Sequence, residues 1–168
     1  MYRNIHNEAM TNKELLEKFY TSFAQGNFKG MTECYDENIL FKDPVFGTLR
    51  GKRARAMWEM LLSRKSKDLE INYEIINSTT EQGNVRWTAT YLYGKKKRKV
   101  INNVSSNFKF KNGKIVEHID SFNLWKWTKQ ALGSIGYVLG WTPFLKKKMQ
   151  DATNKKLDDF SGKKNYDI

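Results

Sequence analysis

The chain has 168 residues and a mass of 19.8 kDa, enough for one domain and too few for two. Five Trp, eight Tyr and ten Phe supply a packed core and exclude disorder for the bulk of the chain. A single cysteine, Cys34, excludes an intramolecular disulfide, and two histidines, His6 and His118, leave no zinc-ligand spacing.

The formal net charge of +12 is unevenly placed. Residues 1–94 carry 13 Lys and Arg against 12 Asp and Glu, whereas residues 95–168 carry 17 against 6. The excess sits in basic runs at 95–99, 146–148, 155–156 and 163–164. Such runs attract phosphates or anionic lipid headgroups, or are simply a solvated hairpin tip and a solvated helix face. The string Lys95 to Val100 also looks like a nuclear import signal, but it stands between two strand patterns and is set aside. Residues 1–10 lack an apolar leader core. The longest uncharged run after residue 115, residues 130–145, is too short to span a bilayer and holds three glycines and a proline. A soluble, cytoplasmic protein is expected.

In chain order, Thr11 with Glu14 three residues on forms a capping box. Leu15, Leu16, Phe19, Tyr20 and Phe23 follow at helical spacing until Gly26 stops the helix. A short helix is predicted over 28–34, a short strand over 39–41, a turn over 48–51 and a third helix over 52–64. From residue 69 the period becomes two. Leu69, Ile71, Tyr73 and Ile75 alternate with polar residues, a half-buried strand. Residues 82–84 read as a turn, and Val85, Trp87, Ala89, Tyr91 and Tyr93 share one face of the next strand. Strands at 100–110 and 114–124 complete an antiparallel meander of three long strands. Helices ahead of strands point to an α+β fold with helices packed on one face of a curved sheet. Beyond it, residues 125–132 read as a helix. Thr142 and Pro143 then open a basic helix with a narrow apolar stripe of Leu145, Met149, Ala152 and Phe160. The chain thus divides into an arm (1–10), a pocket domain (11–127) and a basic helical extension (128–168). The stripe packs back on the domain or on a second subunit, or lies on a membrane surface.

Two carboxylates stand out. On a period-two strand Val116, His118, Asp120, Phe122 and Leu124 share a face. A carboxyl among apolar side chains is costly unless paired, so Asp120 is either a general acid or base or a structural acceptor for a buried donor. Desolvation there pushes a carboxyl pKa upward, and His118 couples to it. Asp43, before Pro44, reads as turn chemistry. Cys34 reads as core.

The run from Gly26-Asn27-Phe28 through Lys42-Asp43-Pro44-Val45-Phe46-Gly47 to Gly113-Lys114-Ile115-Val116-Glu117-His118-Ile119-Asp120-Ser121-Phe122 resembles the nuclear transport factor 2-like superfamily, in its SnoaL-like branch. The resemblance covers residues 11–127. It implies a cone-shaped α+β fold, with N-terminal helices packed in a strongly bent antiparallel or mixed sheet, a deep apolar pocket and often a dimer. Asp43 falls where the similar ketosteroid isomerase keeps its general base, but the Tyr position of that enzyme holds Phe19, beside Tyr20, and its Asp position holds Ser106. Asp120 falls where limonene epoxide hydrolase and the polyketide cyclases keep an acid. Ala89 and Tyr91 stand where the hydrolase needs an Arg and a second Asp. The cyclase-like pattern fits best.

The resulting expectation is a cofactor-free pocket protein for a small apolar carbonyl or hydroxyl compound: an isomerase, cyclase or dehydratase, or a non-catalytic binding or interaction module. Asp120 is the acid or base, His118 orients it or shares its proton, and Asp43 is a second base near the rim. Trp58, Trp87, Tyr91 and Phe122 form the walls, with Phe19, Tyr20 and Ser106 as further pocket residues. A homodimer is expected through the polar outer sheet face of Arg86, Thr88, Thr90, Asn103, Ser105 and Asn107. Nucleic acid or membrane binding through the basic second half is the lesser alternative.

Overall fold

The computed structural model describes residues 10–63 and 68–164. His6 and the rest of the expected arm before Met10 lie outside the described residues, as does Arg64, the expected end of the third helix.

Helix α1 (Asn12–Gln25) starts at the capping box: the Thr11 amide donates to the Glu14 carboxylate at 2.8 Å, and the Glu14 amide donates back to the Thr11 hydroxyl. Gly26 closes it at φ +73°, a left-handed conformation that favours glycine. Helix α2 (Phe28–Glu33) ends at Cys34, whose thiol burial pushes up to about 11, so it is an inert core group.

Strand β1 (Tyr35–Asp43) is longer than the expected 39–41. Exposed Glu37 and Asn38 mask its start, where a register irregularity separates Tyr35 from Leu40. The expected turn at 48–51 is mostly strand β2 (Gly47–Arg50), four residues that pair antiparallel with β1 and bury Leu49 beside Phe41. Helix α3 (Gly51–Ser63) follows directly.

Strands β3 (Glu70–Ser78), β4 (Gln82–Tyr93), β5 (Arg98–Lys111) and β6 (Lys114–Ser121) form a meander of four strands, not three, in a sheet of order β2-β1-β6-β5-β4-β3. The β1–β6 pair is parallel, so the sheet is mixed. The turn expected at 82–84 falls at 79–81 instead, and Gly83 is a paired strand residue. Packing is tight there: a Cβ would stand 3.0 Å from both Leu16 and Phe110, so their side chains would have to give by a few tenths of an ångström.

Helices α4 (Leu124–Leu132), α5 (Ser134–Leu139) and α6 (Pro143–Lys164) complete the chain, and α4 runs through the expected boundary at 127/128. Helix α6 packs back on the domain. Gln150, Thr153 and Asn154 donate to the carbonyls of Pro44, Val45 and Phe46 at 2.9–3.0 Å. Its main apolar anchor is Leu157, fully buried, which the expected stripe omits; of that stripe, Phe160 packs partly buried against the core. A mostly polar docking face explains why the stripe is so narrow in the sequence.

The α+β cone expected from the sequence is therefore the fold observed, with α1 and α3 packed on the bent sheet. Most buried side chains form one core, and a smaller cluster of Val100, Trp127 and Ala131 lies where α4 meets β5.

Candidate active site in an apolar cavity

Sheet register builds the site. Strands β5 and β6 place Ser106 opposite Asp120 and Phe108 opposite His118, while β1 sets Phe41 beside His118. The expected face needs one correction. An irregularity at Lys109/Phe110 turns Ile115 inward, so Val116 is only half-buried, and Leu124 has already entered α4.

Buried and partly buried side chains on six elements then form one hydrogen-bonded chain. Trp58 Nε1 donates to Tyr35 Oη at 2.9 Å, and Tyr35 Oη lies 2.6 Å from His118 Nδ1. His118 Nε2 lies 2.8 Å from Asp120 Oδ1. From the other side Tyr20 Oη donates to Ser106 Oγ at 3.0 Å, Trp87 Nε1 donates to it at 2.7 Å, and Ser106 donates to Asp120 Oδ1. An indole can only donate, so Tyr35 Oη and Ser106 Oγ accept from Trp58 and Trp87, and the buried Tyr35 proton has no acceptor among the described residues other than His118 Nδ1. Tyr35 spends its own proton on Nδ1, the ring carries its proton on Nε2, and all donors converge on Asp120 Oδ1. Burial pushes the Tyr20 and Tyr35 hydroxyls well above their ordinary range, which keeps both as donors. Among the described residues no buried side-chain polar atom lacks a partner.

Asp120 Oδ2 receives no hydrogen bond from the described residues and Asp120 lines a cavity of about 470 Å³, a size that suits a small organic molecule. Asp43 lines the same cavity, as do Trp58, Trp87, Tyr91 and Phe122. Four other expected residues do not. His118, Phe19, Tyr20 and Ser106 are buried behind the wall: three belong to the hydrogen-bonded chain, and Phe19 packs edge-on against His118 at 5.4 Å. The walls include residues not foreseen, among them Met57, Trp127 and Met149, and α6 closes one side with Ala152, Thr153 and Lys156. Trp127 Nε1 donates to Tyr91 Oη at 2.7 Å, which leaves the Tyr91 proton for a ligand. Tyr35 is the residue that sequence reading missed most completely. Its only sequence signal is the start of a strand whose pairing is parallel and irregular.

Asp43 does turn chemistry and faces the cavity as well. Its Oδ1 accepts the Val45 amide at 2.9 Å and the Phe46 amide, fixing the β1–β2 turn. Burial, reinforced by the Asp120 charge and opposed by these amides, raises its carboxyl to about 7. An exposed aspartate loses its proton near 4, so between about pH 4 and 7 the folded state binds the more protons. Ionised Asp43 therefore costs stability progressively as pH rises through that window, and the cost is constant above it. Asp43→Asn keeps an acceptor for the turn and removes the titration. Relative to wild type the variant should gain several degrees of melting temperature between about pH 4 and 7, on the order of 2 kcal/mol after allowing for partial exposure. Parallel melting curves across that range would contradict the raised pKa.

The sequence profile of the SnoaL-like domain matches residues 16–118, and the chain belongs to that family. The match stops two residues before Asp120. No curated protein is significantly similar. Among solved structures, a provisionally assigned polyketide cyclase from Silicibacter sp. TM1040 superposes with a TM-score of 0.61 at 20% identity, covering 71% of this chain and 93% of that one. An NTF2-like protein of unknown function from Burkholderia pseudomallei gives 0.57 at 18%, covering 67% and 90%. The epoxide hydrolase/cyclase-like enzyme SalBIII, of pyran ring formation in salinomycin, gives 0.57 at 18% with the same coverage. Likeness at such identities is a likeness of fold.

Proposed function

We propose that the protein is a pocket enzyme for a small apolar molecule bearing a carbonyl or hydroxyl, and that it performs cofactor-free acid–base chemistry: isomerisation, cyclisation or dehydration. The observation that carries this reading is that Asp43, Asp120 and Tyr91 line one largely apolar cavity. Asp120, held at Oδ1 by His118 and Ser106, offers Oδ2 as the base that takes a proton from the carbon next to the carbonyl. Tyr91 donates its hydrogen bond to the carbonyl oxygen as negative charge gathers there. Asp43, raised to about 7, holds a proton in about half of the molecules at neutral pH, which suits it to return a proton to another carbon or to a departing hydroxyl. Each proton taken is thus matched by one returned. The names of the polyketide cyclase and epoxide hydrolase/cyclase-like neighbours are compatible with chemistry of this type.

The test is proton exchange, because it needs no knowledge of the physiological product. In D₂O, 1-tetralone should gain deuterium next to its carbonyl faster with the protein than in buffer, read by NMR. Tyr91→Phe should slow the exchange by about 10²-fold with little change in half-saturation, since the lost bond matters most in the transition state. A second reading, a non-catalytic binding module, is favoured by the complete satisfaction of Asp120 Oδ1 within the fold. Saturable binding of tetralone with no exchange above buffer would select it.

A further inference from the structure

Helix α5 is packed the wrong way round for a protein in water. Its buried residue is Gly136, and a Cβ there would stand 1.9 Å from the Thr128 carbonyl oxygen, so α5 meets α4 through its backbone. Every apolar side chain of α5 is then turned outward. Ile135, Tyr137 and Val138 are exposed by 61–65% and Leu139 by 41%, and the next two apolar aromatics, Trp141 after α5 and Phe144 in α6, are exposed by 68% and 69%. A cluster of this size on a monomer marks an interaction surface.

The surroundings identify the kind of surface. No acidic residue occurs between Asp120 and Asp151, whereas Lys126, Lys129, Lys146, Lys147 and Lys148 lie in that interval. Lys129 Nζ sits 4.1 Å over the Trp125 ring and 5.7 Å from that of Tyr137, and Lys148 lies 5.7 Å from the Phe144 ring. Asp151 answers only Lys147, at 3.6 Å. The Arg98 guanidinium, where β5 leaves the basic hairpin tip, lies against Gly133 just before α5. Two copies of this face would set like charges together, which disfavours self-association. Phosphates of a nucleic acid would satisfy the lysines but leave Ile135, Val138 and Leu139 in water. An anionic bilayer satisfies both, with lysines at the headgroups and Trp, Tyr and aliphatic side chains at the acyl boundary.

We propose that the outward face of segment 135–144, with the lysines around it, docks the protein on an anionic lipid bilayer. The protein lies on the surface; no helix among the described residues is long and apolar enough to cross. The segment also adjoins the cavity wall, since Leu132 before it and Met149 after it both line the cavity. A ligand partitioned into the membrane is therefore presented near its binding site.

Sedimentation of the full chain with vesicles tests this. The protein should pellet with phosphatidylcholine vesicles containing about a third phosphatidylglycerol at ~0.15 M salt, should not pellet with phosphatidylcholine alone, and should be released as salt is raised. Replacing Trp141 and Phe144 together by Ala should weaken binding by at least about tenfold. Changing Lys146, Lys147 and Lys148 to Gln should weaken it by about fivefold per lysine. Both side chains of the first variant are solvent-exposed, so its circular dichroism should match wild type, and a matched spectrum with undiminished binding would overturn the proposal. So would wild type that ignores anionic vesicles, a dimer in sedimentation velocity abolished by the aromatic variant, or a DNA duplex bound equally by wild type and that variant in place of vesicles.

Discussion

Asp120→Asn should lower ketone exchange by about 10³-fold while costing only about 1 kcal/mol of stability, a few degrees of melting temperature. The amide oxygen still accepts from His118 and Ser106, so the buried donors keep their partner. What is lost is the negative charge and the oxygen facing the cavity. Asp120→Ala makes the contrast, because it leaves the Ser106 hydroxyl and His118 Nε2–H unpaired in a dry interior. About 3 kcal/mol should be lost, on the order of 10 °C. The pair of variants separates the two roles that the sequence leaves open. Full exchange activity in Asp120→Asn removes the carboxylate from the chemistry. Melting of that variant as low as Asp120→Ala makes the residue a structural acceptor whose charge holds the core together.

The second large effect is expected at a residue behind the cavity wall. Tyr35 Oη accepts from Trp58 and donates to His118, so Tyr35→Phe strands one donor and one acceptor at once. Each unpaired buried group costs about 1–3 kcal/mol, and the variant should lose about 3 kcal/mol in all. Without Tyr35 to hold Nδ1, the His118 ring is free to place its proton on either nitrogen, and Asp120 loses a fixed donor. Exchange should therefore slow through the turnover rate, with half-saturation unchanged, because Tyr35 does not line the cavity. A variant that melts early yet turns over normally would show that the buried chain supports the fold alone.

Much of this arrangement was legible before any coordinate. Apolar spacing at Leu15, Leu16, Phe19, Tyr20 and Phe23 located α1, and the alternation from Val85 to Tyr93 assigned the inner face of β4. Alternation along β6 likewise put His118 and Asp120 on one buried face, whereas Asp43 was marked by Asp-Pro turn chemistry and by the family resemblance. Asp43 and Asp120 prove to line one cavity, a question the sequence left open because they lie on strands that are not sequence neighbours. The missed features share a cause. Tyr35, strand β2 and the Gly83 pairing depend on which strand lies alongside, and local periodicity carries no information about that partner. Assignment of Phe19, Tyr20 and Ser106 to the pocket failed for a related reason. A residue on an inward face is placed toward the interior, but whether that interior is cavity or solid packing is set by side chains from other elements.

What the sequence determined by itself is the set of local choices: the capping box at Thr11 and the glycine stop at Gly26, the period-two faces, the basic second half and the acid on an apolar strand. These follow from the backbone geometry and solvation of short segments, which each residue string specifies on its own. Tertiary structure decided the rest. The parallel β1–β6 pair brought Tyr35 to His118, register set Ser106 against Asp120, and α6 returned to close the cavity through Leu157 and three polar side chains. It also decided that α5 packs by its glycine and leaves its apolar side chains outside, since only the Thr128 carbonyl of a neighbouring helix fixes which face can approach.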